Sequence, residues 1–189
     1  MNSAKTTLNT CAEVIPGVLE QKKAGEKAFL YDAVVPCQLT PGGLIGEYGK
    51  IQRIADSVTS FLRVGDVIIK RLNPDCAVVF EDGEVQVLPS ANIFVIRPIV
   101  RVLNPYYLAF ILENSNAFNK LSQRSGIGTA VSAVTVNQIR NCEIPLPPME
   151  EQEKLGALWK CAKKRNFLLQ KLIAENNRLL RSISENLYQ

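Results

Sequence analysis

The sequence predicts an α+β fold: a globular, β-rich domain with short helices over residues 1–148, then a long C-terminal α-helix over residues 149–189. Three observations point there. Short β-branched runs punctuated by turn residues fill the first part. A double proline closes it. A stretch of about 38 residues then passes with no proline and a 3.5-residue apolar repeat.

The runs VGDVIIK (64–70), CAVVF (76–80), EVQVL (84–88) and IFVIRP (93–98) read as short strands, with RLNPD and EDG as the turns between them. LTPGGLIG (39–46) reads as a loop. NPYYLAFILENSNAFNKLSQ (104–123) reads as a helix, with Asn104 as its cap and Pro105 in its first turn, until SGIGTA (125–130) breaks it. VTVNQIRNCEIPL (134–146) reads as a helical turn followed by a last strand.

From Glu150 the texture changes. Pro147 and Pro148 suit the approach to a helix start, and Glu150, Glu151 and Glu153 place negative charge at its positive end. Leu155, Leu158, Ala162, Arg165, Leu169, Leu172, Asn176, Leu179 and Ile183 follow at alternating steps of three and four, with Arg165 and Asn176 as the polar members. Asn in such a seam fixes register and partner number at a cost in stability. Such a helix is about 57 Å long at 1.5 Å per residue, against roughly 30–35 Å for a compact body of about 140 residues. It must outreach its own domain, so its apolar stripe is expected to pair with another chain; the alternative is a helix that folds back locally on its own domain.

Composition narrows the chemistry. Of 189 residues 47% are hydrophobic, enough for a sizeable core, and the net charge of +4 is compatible with nucleic acid. There is no histidine, which removes Ser-His-Asp and Cys-His catalysis and most zinc sites. The odd set Cys11, Cys37, Cys76, Cys142 and Cys161, without a CxxC pair, reads as reduced and mostly buried thiols of a cytoplasmic protein. No membrane span or signal core is read, and no metal site.

Each motif has a plain reading beside the functional one. NPYYL (104–108) is similar to the Asn-Pro-Pro-Tyr motif of amino-methyltransferases but lacks the second proline and fits a helix start. SGIG (125–128) lacks a phosphate-loop pattern; it suits either a helix-ending turn or a backbone contact to a nucleic-acid phosphate, with Arg124 beside it. Lys70, Arg71 and Asn73 are the densest polar patch: solvated turn residues, or groups that read guanine and adenine edges.

IPLPPMEEQEKL (144–155) resembles the IPLPPLxEQ segment of type I restriction-modification specificity subunits, where a target recognition domain passes into a long conserved helix. LNTCAEVIPG (8–17), LRVGDVIIK (62–70), VLPSANIFVIRP (87–98), NPYYLAFIL (104–112) and GIGTAVSAVTVNQI (126–139) resemble further segments of that family, in its order. A full subunit carries two recognition domains and two antiparallel helices, so one of each resembles a half-subunit. The resemblance implies a non-catalytic homodimer, joined as an antiparallel coiled coil, reading a bipartite inverted repeat in double-stranded DNA. Methylation subunits that bind S-adenosylmethionine, and a restriction subunit, would be its partners; the chain itself would need no cofactor. Candidate DNA-contacting residues are Lys22, Lys23, Arg53, Lys70, Arg71, Asn73, Ser90, Arg124, Ser125 and Thr129. The alternative is a half-subunit that does not read DNA and instead pairs through its helix with a longer specificity subunit.

Overall fold

The computed structural model describes residues 5–21, 28–54, 60–114 and 133–187. Its centre is an antiparallel sheet in the order β2-β10-β7-β8, formed by Ala12–Pro16 (β2), Ile93–Pro98 (β10), Val67–Lys70 (β7) and Ala77–Val79 (β8). Both faces of this sheet are covered. Along β7, Val67 and Ile69 enter one apolar cluster and Ile68 the other; along β10, Phe94 and Ile96 part from Ile93 and Val95 in the same way. A strand buried on both faces needs apolar residues at every position, which is why VIIK and IFVI stood out as continuous runs.

One face is covered by α1 (Leu8–Cys11), α2 (Pro105–Asn114), α3 (Val136–Arg140) and the base of α4 (Met149–Leu187). The other packs around Val34, Leu39, Phe80 and Val87, beside a three-stranded sheet in the order β6-β3-β9. That sheet comprises β6 (Gly49–Ile54), β3 (Ala28–Val34) and β9 (Val87–Pro89), with β3 antiparallel to β6 and parallel to β9. Two small pairs complete the body: β1 (Lys5–Thr7) with β11 (Glu143–Pro145), and β4 (Leu39–Thr40) with β5 (Gly43–Leu44).

The differences from the sequence reading have local causes. LTPGGLIG holds a minimal hairpin rather than an open loop. The strand read over 84–88 is confined to Val87–Pro89, because Glu84, Val85 and Gln86 are exposed. Strands β3 and β6 were not anticipated. The helix read over 104–123 is described as far as Asn114; the rest lies outside the described residues. Of the thiols Cys11 and Cys76 are buried, but Cys37 and Cys161 are exposed, the first in a 3-10 turn and the second on the long helix. No described helix is long and apolar enough to cross a membrane, and no described cluster of acids and cysteines could hold a metal ion.

The Gly-Asp pair before β7 is structural. Gly65 holds φ +90, a region costly for side-chain-bearing residues. Asp66, 1% exposed, takes a two-pronged ion pair from Arg97 at 2.8 and 2.7 Å. Arg97 also donates to the Phe61 carbonyl, so β7, β10 and the segment before them are tied at one point.

The corner at IPLPPMEEQ is closed by Gln152, 1% exposed. Its Nε2 donates to the carbonyls of Val102 (3.1 Å) and Pro147 (2.9 Å), while its Oε1 accepts from the Asn104 N–H (2.9 Å). The Pro148 carbonyl accepts the first N–H groups of α4, from Glu151 and Gln152. One turn on, Gly156 lies against the start of α2: a Cβ there would stand 2.9 Å from Asn104 Oδ1 and 3.0 Å from Tyr107 N. That Oδ1 caps α2 by accepting from Tyr106 N and Tyr107 N. Tyr107 is buried and its hydroxyl reaches the Pro145 carbonyl, while Lys160 Nζ lies over the Tyr106 ring and donates to its hydroxyl. Asn104 and Tyr106 of NPYYL thus join α2 to the base of α4, and the Tyr107 hydroxyl ties it to β11. Further along, Lys163 Nζ lies 2.9 Å from both oxygens of Glu113, whose Oε1 also accepts the Ala77 N–H at 2.9 Å.

Two stability changes are expected. Gln152→Leu leaves three backbone groups without partners and should cost at least about 3 kcal/mol, since each stranded buried group costs roughly 1–3. Gly156→Ala gains about 1 kcal/mol of helix propensity but should be destabilising on balance, because the added methyl forces α4 off the α2 cap. Urea unfolding midpoints check both; an unchanged midpoint for Gln152→Leu would refute the role given to that amide.

Candidate nucleic-acid interface

The antiparallel register of the central sheet decides which loops meet. Phe94 pairs with Pro16, Ile93 with Lys70, and Ile69 with Ala77. The exit of β2, the entry to β10, the exit of β7 and the entry to β8 therefore share one end of the sheet. The turn Arg71–Asp75 stands there beside the turn Ser90–Asn92, joined by the Arg71 N–H donating to the Asn92 carbonyl at 2.8 Å.

Two further segments reach this end. The chain leaving β2 passes so close to the Ser90 turn that a Cβ on Gly17 would stand 1.8 Å from the Ser90 carbonyl oxygen. Val18 then bridges Ser90, and Gln21, the last described residue before 22–27, donates its N–H to the Gln52 carbonyl. On the far side Ala133 bridges Leu72, and the Val134 N–H donates to the Arg71 carbonyl at 2.9 Å. Glu113 holds the N–H of Ala77 at the same end, so Asn114 and Ala133, the residues flanking 115–132, both stand there.

The sequence candidates divide accordingly. Arg71 and Asn73 are exposed at the tip of the β7–β8 turn, and Asn73 holds φ +47, a left-handed conformation that Asn tolerates better than most residues. Ser90 is half-buried in the adjoining turn. Lys70 is drawn inward: its Nζ lies 3.0 Å from Asp75. Partial burial works against ionisation of Asp75, yet the Lys70 ammonium and the neighbouring Cys76 hold its carboxyl below the usual range. Burial, aided by the Asp75 charge, pushes the Cys76 thiol up to about 12, so it is no nucleophile at neutral pH. Arg53 is 8% exposed and donates through Nη1 to the Leu19 carbonyl at 2.7 Å, which places it beneath the segment leading to 22–27. Lys22, Lys23, Arg124, Ser125 and Thr129 lie outside the described residues.

The sequence reading passed over Asn92, Leu19 and Leu72. Asn92 is exposed at the centre of the gathered turns, while Leu19 and Leu72 are 70% and 39% exposed at the same end. The only signal for Asn92 was its place between Ser90 and a strong strand; the two leucines carried none, because exposure is invisible in a run of letters.

The second surface is α4. Leu155 packs on the main core and Ala162 is half-buried, so the inner part of the repeat is partly covered by the chain's own body. Beyond Phe167 every helix residue with a described side chain is exposed, including Leu169, Leu172, Asn176, Leu179 and Ile183; Leu158 and Arg165 are exposed as well. The helix does outreach the body, with its apolar stripe bare in the single chain.

Comparison with known proteins bears on the family and the fold. Similarity to a putative type I restriction enzyme MjaX specificity subunit of Methanocaldococcus jannaschii is 26% identity over 104 residues, covering 51% of this chain and 24% of that protein. An HsdS subunit from Thermoanaerobacter tengcongensis superposes with a TM-score of 0.61 at 23% identity, over 95% of this chain and 46% of that one. A chain from a type I R-M system, solved to explain its complex assembly and conformational transition, gives 0.64 at 22% identity, over 93% and 45%. The chain therefore spans under half the length of each of these relatives. Residues 59–175 match the family model of the type I restriction modification DNA specificity domain, and with most of its length inside that match the chain belongs to this family.

Proposed function

We propose that this chain is a sequence-specific DNA-recognition half-subunit of a type I restriction-modification system. Two copies pair through α4 and read a bipartite inverted repeat whose gap the paired helices set. The dimer directs methylation subunits, and a restriction subunit where one exists, to that target. S-adenosylmethionine belongs to the methylation subunit, and this chain selects the site without performing the chemistry.

The observation that supports this reading most is the gathering of turns at one end of the central sheet. Arg71 and Asn73 have the donors and acceptors for guanine and adenine edges, and Ser90 and Asn92 stand beside them. Leu72 offers an apolar contact of the kind a thymine methyl takes. Lys22, Lys23, Arg124, Ser125 and Thr129 belong to the two segments that start from this end, and are assigned to phosphates and neighbouring bases. Arg53 and Lys70 act one step back, the first holding the Leu19 backbone and the second paired with Asp75.

A second reading is favoured by one observation, the bare apolar stripe of α4, which another helix of the same kind could cover as well as a second copy. In it α4 pairs with the helix of a longer specificity subunit and alters its target. Selection of bound duplexes from a random pool separates the two. An inverted repeat with a fixed gap supports the first reading; failure to enrich any sequence, with methylation subunits present or absent, refutes it.

Three outcomes are expected of that protein. Binding should weaken steeply with salt, as phosphate-dominated binding does. Arg71→Ala should cost about 1–3 kcal/mol at the selected target and relax the preference at one base position; a uniform loss across all sequences would assign Arg71 to phosphate instead. Leu169→Asp with Leu172→Asp should halve the mass measured by light scattering while the unfolding of the β-rich body is retained, and an unchanged mass would refute that placement of the seam.

A further inference from the structure

The bare stripe of α4 carries more information than its apolarity. Leu158, Leu169, Leu172, Leu179 and Ile183 are 48–67% exposed. The two polar members of the same seam, Arg165 and Asn176, are placed symmetrically: they lie equally far on either side of the midpoint between Gln170 and Lys171. Leu169 and Leu172 straddle that midpoint, as do Ala162 and Leu179, and Leu158 and Ile183.

We infer that the stripe is covered by a second copy of this chain, antiparallel, with the twofold axis passing between Gln170 and Lys171. This rests on the homodimer reading above and adds the register to it. Taking Leu169 as an a position and Leu172 as a d position, an antiparallel pair brings each a to the level of a partner's d. Every pair named above then forms one layer. Arg165 of one copy faces Asn176 of the other, where the guanidinium donates to the amide oxygen. Leu169 faces Leu172 at the centre, and Leu158 faces Ile183 near the ends.

Competing arrangements mismatch the polar residues. A parallel pair in register sets Arg165 against Arg165, two like charges in one layer. An antiparallel pair shifted by one heptad sets Arg165 against Leu169 or Ile183, and Asn176 against Leu158 or Leu172, so that each polar group meets only an apolar partner. Only the register centred between Gln170 and Lys171 joins the two polar residues to each other. Ala162 fits the same arrangement. It is half-buried by its own body, and the smallest side chain of the seam is where body and partner helix crowd together.

Cysteine cross-linking of the full chain tests the register, in a background where the exposed Cys37 and Cys161 are serine. Arg165→Cys and Asn176→Cys are prepared alone and co-expressed. In the inferred dimer, like positions lie about 16 Å apart along the axis, at 1.5 Å per residue, beyond disulfide reach, while unlike positions face each other. Oxidation should therefore link the co-expressed pair and give about a tenth of that level or less with either variant alone, as disulfide geometry is strict. Ala162→Cys with Leu179→Cys should behave the same way and guards against a local effect of losing Arg165 or Asn176. A linked dimer from Arg165→Cys alone would mean parallel helices and would overturn the inference. A dimeric mass by light scattering with no link in either co-expressed pair would overturn the register and leave the homodimer standing. A monomeric mass for the unsubstituted chain would sink the homodimer reading and the register with it.

Discussion

The arrangement depends on one buried amide. Gln152 reaches across the corner between body and helix and satisfies three backbone groups from two separate segments, the Val102–Asn104 stretch and the Pro147 turn. Those groups lie at chain reversals, where neither sheet nor helix offers them a partner. A buried carbonyl or N–H without one is expensive, so the corner holds its shape only while that side chain occupies it. Gly156 then lets α4 approach the capped end of α2 more closely than any larger residue would. The direction of a 39-residue helix is thus set within its first two turns.

Downstream contacts maintain that direction. Lys160 joins Glu81 and Tyr106, and hydrogen bonds donated by Lys160 and by the Tyr106 hydroxyl hold the Glu81 carboxyl below its usual range. Lys163 joins Glu113, which also holds the first N–H of β8. The same carboxylate therefore touches both the helix and the end of the sheet where the candidate interface gathers. A rigid path of this kind matters for a protein proposed to read two half-sites at a fixed separation, because any freedom at the corner would be magnified along a helix that projects well beyond the body.

At the interface end the governing constraint is antiparallel pairing. Four strands in the order β2-β10-β7-β8 place alternate strand ends together, so turns from residues 17–21, 71–75 and 90–92 become neighbours although they are far apart in sequence. Backbone hydrogen bonds between the turns fix them to one another, which leaves the side chains to vary without disturbing the sheet. That division between scaffold and turn side chains suits a domain proposed to choose a sequence.

Much of this was legible in the letters. VIIK and IFVIRP, buried on both faces, announced the central strands; Asn104-Pro105 announced a capped helix; the double proline and the unbroken heptads announced α4 and its excess length. Strands β3 and β6 were not legible. AFLYDAV is apolar at adjacent positions and so shows no alternation between two faces, and β6 buries Ile51 and Arg53, a charge where alternation calls for an apolar residue. The same Arg53 reads as a DNA contact in the sequence because a letter carries charge but not burial.

By itself, then, the sequence determined the elements whose signals are local: strand runs, caps, breaks, and a helical repeat with its symmetric polar pair. Tertiary structure decided what depends on distance in space. It brought the turns together at one sheet end, turned Arg53 inward, gave Gln152 and Gly156 their work at the corner, and divided the seam into covered and bare parts. The physical reason is that propensity and periodicity act over a few residues, while register, burial and hydrogen-bond satisfaction are settled only when remote segments meet.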